Sequence, residues 1–112
     1  MLGVGSNLLY AGGMSVLVAN ADGVPSTVEG FEERFISSMT KTDNNCVILV
    51  GGDRPQNHGK IMFLINGKKV PAEVTIPGKL LTSISADSPA HGWICGWAGT
   101  LIEYRLVSPS AR

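Results

Sequence analysis

Asn66-Gly67 constrains this chain more than any other pair of residues in it. A two-residue connection between antiparallel strands closes best as a type I′ turn. Both of its central positions then need positive φ, which asparagine and glycine tolerate and most residues do not. The pair stands between two strand-like runs, Ile61–Ile65 and Lys68–Ile76. Along the second run Val70, Ala72, Val74 and Ile76 alternate with polar residues or proline, the period-two pattern of a strand with one buried face. A β-hairpin over 61–76 is expected, and the rest of the chain must be compatible with antiparallel sheet.

The flanking segments agree. Cys46–Val50 reads as a short, continuously apolar strand after the turn Asp43-Asn44-Asn45, and Gly51–Gly59 reads as a polar loop. Pro77-Gly78 ends the hairpin, and Leu80–Ala86 reads as a strand with Leu81, Ser83 and Ser85 facing opposite to Leu80, Thr82, Ile84 and Ala86. After a loop at 87–92, Trp93–Trp97 and Thr100–Val107 read as the last two strands. Met14–Ala19 is a short apolar run that ends in a turn at Asn20-Ala21-Asp22-Gly23. One stretch reads differently. Ser26-Thr27-Val28-Glu29 has the form of a capping box, and Val28, Phe31, Phe35, Ile36 and Met39 follow helical spacing. A short helix over 27–39 is therefore expected, against the β-leaning composition after Phe35. Short strands near every ten residues imply a mainly β fold, an antiparallel β-sandwich or small barrel, with that one helix added.

Composition narrows the partners. Nine basic and nine acidic residues cancel, and no basic run exceeds Lys68-Lys69. The electrostatic footprint of a nucleic-acid binder or a polybasic membrane contact is absent. Charged residues are only 16% of the chain, below the usual share of about 25%, so part of the surface is expected to be covered by partners. Residues 1–21 are uncharged, but no Lys or Arg precedes Arg34, and glycines interrupt the apolar stretches. Neither a signal peptide nor a membrane insertion is expected. The two cysteines, Cys46 and Cys95, each sit in an apolar run and read as free, buried thiols, with a single disulfide as the alternative.

Chemistry-bearing motifs are scarce. Gly3-Val4-Gly5 lacks the third glycine of a dinucleotide fingerprint, and Ser38-Met39-Thr40-Lys41 matches S-x-x-K without the companion motifs. Cys46, Asp53, His58 and His91 have neither metal-ligand spacing nor a nucleophile–base pattern, and the two histidines read as solvated loop residues. No catalytic residue, metal or cofactor is expected, so the chain is read as a non-enzyme. The loop 51–59 gathers Asp53, Arg54, Gln56, Asn57 and His58, a mixture of donors and acceptors suited to a protein surface or to sugar hydroxyls. Trp93 and Trp97 would share one side of a strand as an aromatic platform, but the apolar Ile94, Cys95 and Ala98 around them favour a core strand. Glu32-Glu33 reads as a solvated face.

Residues 1–13 stand apart as an extended arm before a single β-rich domain at 14–112. The arm is uncharged, glycine-rich and apolar at Leu2, Val4, Leu8, Leu9 and Tyr10, which are candidate assembly contacts. With the strand-rich body and the closing segment Gly99-Thr-Leu-Ile-Glu-Tyr-Arg-Leu-Val107, this arm resembles small structural proteins of tailed-bacteriophage virions: capsid decoration, tail-tip or fibre domains. The resemblance implies a virion component, homo-oligomeric and often trimeric, that contacts other virion proteins through its arm and sheet edges. Outside that setting the chain would be a soluble cytoplasmic protein. A carbohydrate-binding module using loop 51–59, with a glycan as its partner, is the alternative.

Overall fold

The computed structural model describes residues 2–4, 7–12, 15–19, 25–42, 46–53, 57–65, 68–88 and 90–105, with side chains described from Thr27 onward. The described residues form strands joined by turns, with no α-helix. The strands are β1 (Leu2–Val4), β2 (Asn7–Gly12), β3 (Ser15–Ala19), β4 (Pro25–Thr27), β5 (Arg34–Lys41), β6 (Cys46–Asp53), β7 (Gly59–Ile65), β8 (Lys68–Lys69), β9 (Val74–Ile76), β10 (Leu81–Ser88), β11 (His91–Gly96) and β12 (Leu101–Arg105). A single 3-10 turn, Trp97–Gly99, joins β11 to β12. The fold is mainly β, a small antiparallel sandwich.

Three antiparallel sheets are built from neighbours in sequence: β1-β2-β3-β4, then β5-β6-β7 closed by β8 and β9 on the same edge, then β10-β11-β12. The middle sheet is the scaffold. On β6 the residues Val47 to Asp53 are all buried, so this strand is covered on both faces, which its unbroken apolar run requires. Val47 and Leu49 pack with Ile36, Met62, Leu64, Val28 and Phe31 on one side. Ile48 and Val50 pack with Ile61, Leu81, Ile84 and Ile94 on the other, which is the core between the middle sheet and β10–β12. The first sheet comes against β5 through β1 and β2.

A pair of glycines allows the third sheet to approach. Gly52 and Gly59 are register partners on β6 and β7. A Cβ on Gly52 would run into the Leu80 side chain, and one on Gly59 into the Lys79 carbonyl. Only hydrogen at both positions lets the chain entering β10 lie flat on the sheet.

The expected helix at 27–39 is not formed. Gly30 (φ 101°) and Glu33 (φ 60°) are both left-handed, which breaks a helix twice within four residues. The segment instead makes turns that drop Val28 and Phe31 onto the core, and β5 begins at Arg34. The misleading i, i+3 spacing has a β cause. A register shift between Ile36 and Ser38 inserts an extra residue, so Ile36 and Met39, three apart, pack on the same core. The same device works in β10: a shift between Leu81 and Ser83 brings Leu81 and Ile84 to one core. The strict alternation expected for Leu80–Ala86 does not hold, and Leu80 and Leu81 are both buried.

The hairpin turn residues 66 and 67 lie outside the described residues. Their flanks pair as a two-residue connection requires, Ile65 opposite Lys68 and Leu64 opposite Lys69. The expected strand Lys68–Ile76 is split. Only two residues of β7 (62 and 63) separate the β8 and β9 pairings, against four (70–73) on the opposing chain, so Val70–Glu73 bulges out around Pro71. Ala72 and Val74 are exposed there rather than buried. The loop expected at 51–59 is shorter, because β6 runs on through Asp53 and β7 starts at Gly59. The segment read as an arm, 1–13, contributes β1 and β2, which pair with each other and, through β2, with β3.

Candidate functional site

Two clusters of polar chemistry emerge, one internal and one displayed. The internal cluster is centred on Glu73, which the bulge around Pro71 turns back against the middle sheet. Its carboxylate receives a two-pronged contact from Arg34, Nε at 3.1 Å and Nη2 at 3.0 Å. Lys69 Nζ lies at 2.9 Å and Lys60 Nζ at 3.7 Å. Lys60 also donates to Thr75 Oγ1 and approaches Asp53, whose Oδ1 accepts from the His58 amide. Burial would raise the Glu73 pKa, but hydrogen bonds from Arg34 and Lys69 and their charges overcome it and hold the carboxyl down at about 2. This network ties β5, β6, β7, β8 and β9 together. Its charged groups pair with one another across the strands, which suits a structural role.

The recognition loop read from sequence is partly absorbed into that network. Asp53 is buried as the last residue of β6. Arg54 and Gln56 lie outside the described residues. Asn57 is exposed in the left-handed region, and His58 is half-buried with Nδ1 accepting from the Gly78 amide. The side chains of Leu2, Val4, Leu8, Leu9 and Tyr10 lie outside the described residues, while their backbones sit in β1 and β2.

The displayed cluster lies on the outward face of β10–β12. In β11, Gly92 and Ile94 point to the core while His91, Trp93 and Cys95 point outward. Gly92 fixes that parity: a Cβ there would lie 2.6 Å from the Tyr104 hydroxyl and 2.5 Å from the Ser85 carbonyl. Cross-strand register sets Trp93 beside Ser85 and Glu103, and Cys95 beside Ser83 and Leu101. Trp93 is 41% exposed, Trp97 in the joining turn 55% and Leu101 63%. The tryptophans are therefore displayed, not core, because Ile94 alone takes the buried position. Cys95 is also exposed and Cys46 half-buried, both free, so the expectation of two buried thiols is corrected.

His91 is not a solvated loop residue. The loop expected at 87–92 is a tight connection in which Ser88 pairs with His91. Its ring is clamped between Asp87, at 2.7 Å and 2.8 Å from Nδ1, and Glu103, at 2.6 Å from Nε2. Both nitrogens must donate to satisfy two carboxylates, so the arrangement selects the imidazolium. The hydrogen bond to Glu103, and then that to Asp87, raise the His91 pKa. The ring also meets Trp93 edge-on, with centroids 5.7 Å apart. Spacing alone could have hinted at this cluster, since His91, Trp93 and Cys95 alternate with Gly92 and Ile94. The partners Asp87 and Glu103 come from different strands and needed the register.

An open cleft of about 450 Å³ is lined by Glu29, Gly30, Glu32, Lys69, Val70 and Pro71. Among the described residues no group of acidic, histidine and cysteine side chains is placed to hold a metal ion, and no helix is long and apolar enough to cross a membrane. Comparison with protein-family models, with curated proteins and with solved structures found no match to this chain.

Proposed function

We propose that this chain is a non-catalytic assembly subunit that works through protein–protein contacts, with other copies of itself as partners and the outward face of β10–β12 as its docking surface. One observation carries the reading: Trp93 and Leu101 stand exposed on that face and Trp97 beside it. Large aromatic side chains exposed together are characteristic of contact surfaces. Each contributes about 2 kcal/mol when buried. The low overall charge and the resemblance to virion proteins of tailed bacteriophages agree with a subunit, and a virion is the setting that the resemblance suggests.

The test is the mass of the full chain, measured by light scattering over a range of concentrations. Self-association is expected and should weaken at least about tenfold in a Trp93→Ser, Leu101→Ser variant, from the loss of two apolar anchors. A chain that stays monomeric at every concentration would sink the reading.

A second reading has one specific observation behind it. Trp93 is exposed beside the Glu103 carboxylate, its cross-strand neighbour, a combination that suits stacking on a sugar ring with hydroxyl groups bound at its rim. A glycan array should then give a hit that Trp93→Ala abolishes, and the absence of any hit leaves assembly alone.

A further inference from the structure

We infer that the chain pairs with a second copy of itself along the outer edge of β12, antiparallel about a two-fold axis at Tyr104, so that two three-stranded sheets become one of six strands. This adds a second contact, at the edge of the same sheet, to the outward face on which the assembly reading above stands, and it rests on that reading.

An open strand edge is a template for another strand, and folded proteins blunt such edges with bulges, proline, lysine or short strands. The other described edges are blunted in these ways. On the middle sheet, β8–β9 is interrupted at Pro71 and carries Lys68 and Lys69, while β5 is bulged and lies beside β2. In the first sheet, the edge strands β1 and β4 have three residues each. On the third sheet, β10 has two register shifts. By contrast, β12 keeps unbroken register with β11 from Leu101 to Arg105. It contains no proline, and no described strand lies on its outer side.

Charge selects the occupant and the register. A two-fold axis normal to the sheet keeps outward residues opposite outward residues, and in β12 these are Leu101, Glu103 and Arg105. Centred on Glu103, the pairing sets two glutamates opposite each other, and centred on Arg105, two arginines. Centred on Ile102, it sets Leu101 against Glu103. Centred on Tyr104, it sets Glu103 of each copy against Arg105 of the other, twice over. Opposite charges directly across a strand pair are favourable and like charges are not. Each Glu103 is already held through Oε2 by His91, with Arg105 of its own chain no nearer than 3.5 Å. Arg105 is exposed, and pairing exchanges its 3.5 Å contact within the chain for one to the second copy. The same axis places Trp93 and Leu101 of both copies on one continuous face.

Sedimentation of the full chain tests this. Glu103→Arg and Arg105→Glu should each weaken self-association at least about tenfold, and the double variant should recover to within about threefold of wild type. Both residues are exposed, so the variants should fold, which circular dichroism checks. Self-association that ignores all three variants overturns the β12 pairing but leaves the assembly reading standing. Single variants that weaken it without rescue in the double overturn the register. A wild-type chain that is monomeric throughout overturns both.

Discussion

Glu73 shows how much one side chain can organise when burial and charge compete. It is 11% exposed and meets three cations, so removing its charge leaves Arg34, Lys60 and Lys69 crowded together. Glu73→Gln should cost about 3 kcal/mol, read as a lower urea midpoint at pH 7. Its carboxyl is lowered from 4.5 to about 2, so its contribution is present above pH 4.5 and is lost as pH falls towards 2. The stability gap between wild type and Glu73→Gln should therefore narrow in that window. His91 has the opposite sign. Its pKa is raised by Glu103 and Asp87, so its contribution is complete below the ordinary histidine value and is lost as pH rises through the raised one. An NMR titration of the ring should give a midpoint above 6.5 that Glu103→Gln lowers; an unmoved midpoint would dismiss the clamp. Neither partner set could be read from sequence, because Arg34 and Glu73 are 39 positions apart.

At the scale of elements, bulges and glycines decide what the hydrophobic pattern leaves open. Two strands here carry apolar residues three apart on one side, Ile36 with Met39 and Leu81 with Ile84, and in β5 that spacing imitates a helix. Register shifts in both strands are the reason. The close approach of β10 depends on Gly59, whose added Cβ would meet the Lys79 backbone and sit 3.0 Å from Leu81 Cγ. Gly59→Ala should cost about 1–3 kcal/mol through overpacking. Gly78 (φ 69°) has open space around it, so Gly78→Ala should cost only the left-handed backbone penalty of about 1–2 kcal/mol. Thermal melts of the two variants separate steric from conformational cost. The Asn-Gly hairpin was legible because its chemistry is local, and Ile65 does pair with Lys68. The break at Val70–Glu73 was not, although Pro71 marks it in retrospect as an edge position.

For the molecule as a whole, neighbouring residues on β11 separate stability from contact. Ile94 is fully buried between two sheets and Trp93 is displayed. Ile94→Ala should cost about 2–5 kcal/mol of folding stability, whereas Trp93→Ser should leave the denaturation midpoint nearly unchanged and weaken self-association instead. Equal losses of stability in both would contradict the parity that Gly92 imposes. The sequence by itself determined the class of the fold: an antiparallel, mainly β chain. Turn chemistry and apolar runs act over a few residues, so they are written locally. Tertiary structure alone decided which side of each strand is inward, that Trp93 and Trp97 are exposed, and that His91 sits between Asp87 and Glu103. Those outcomes depend on register between strands, where a shift of one residue exchanges the two faces, and on glycines whose necessity appears only when another strand lies against them.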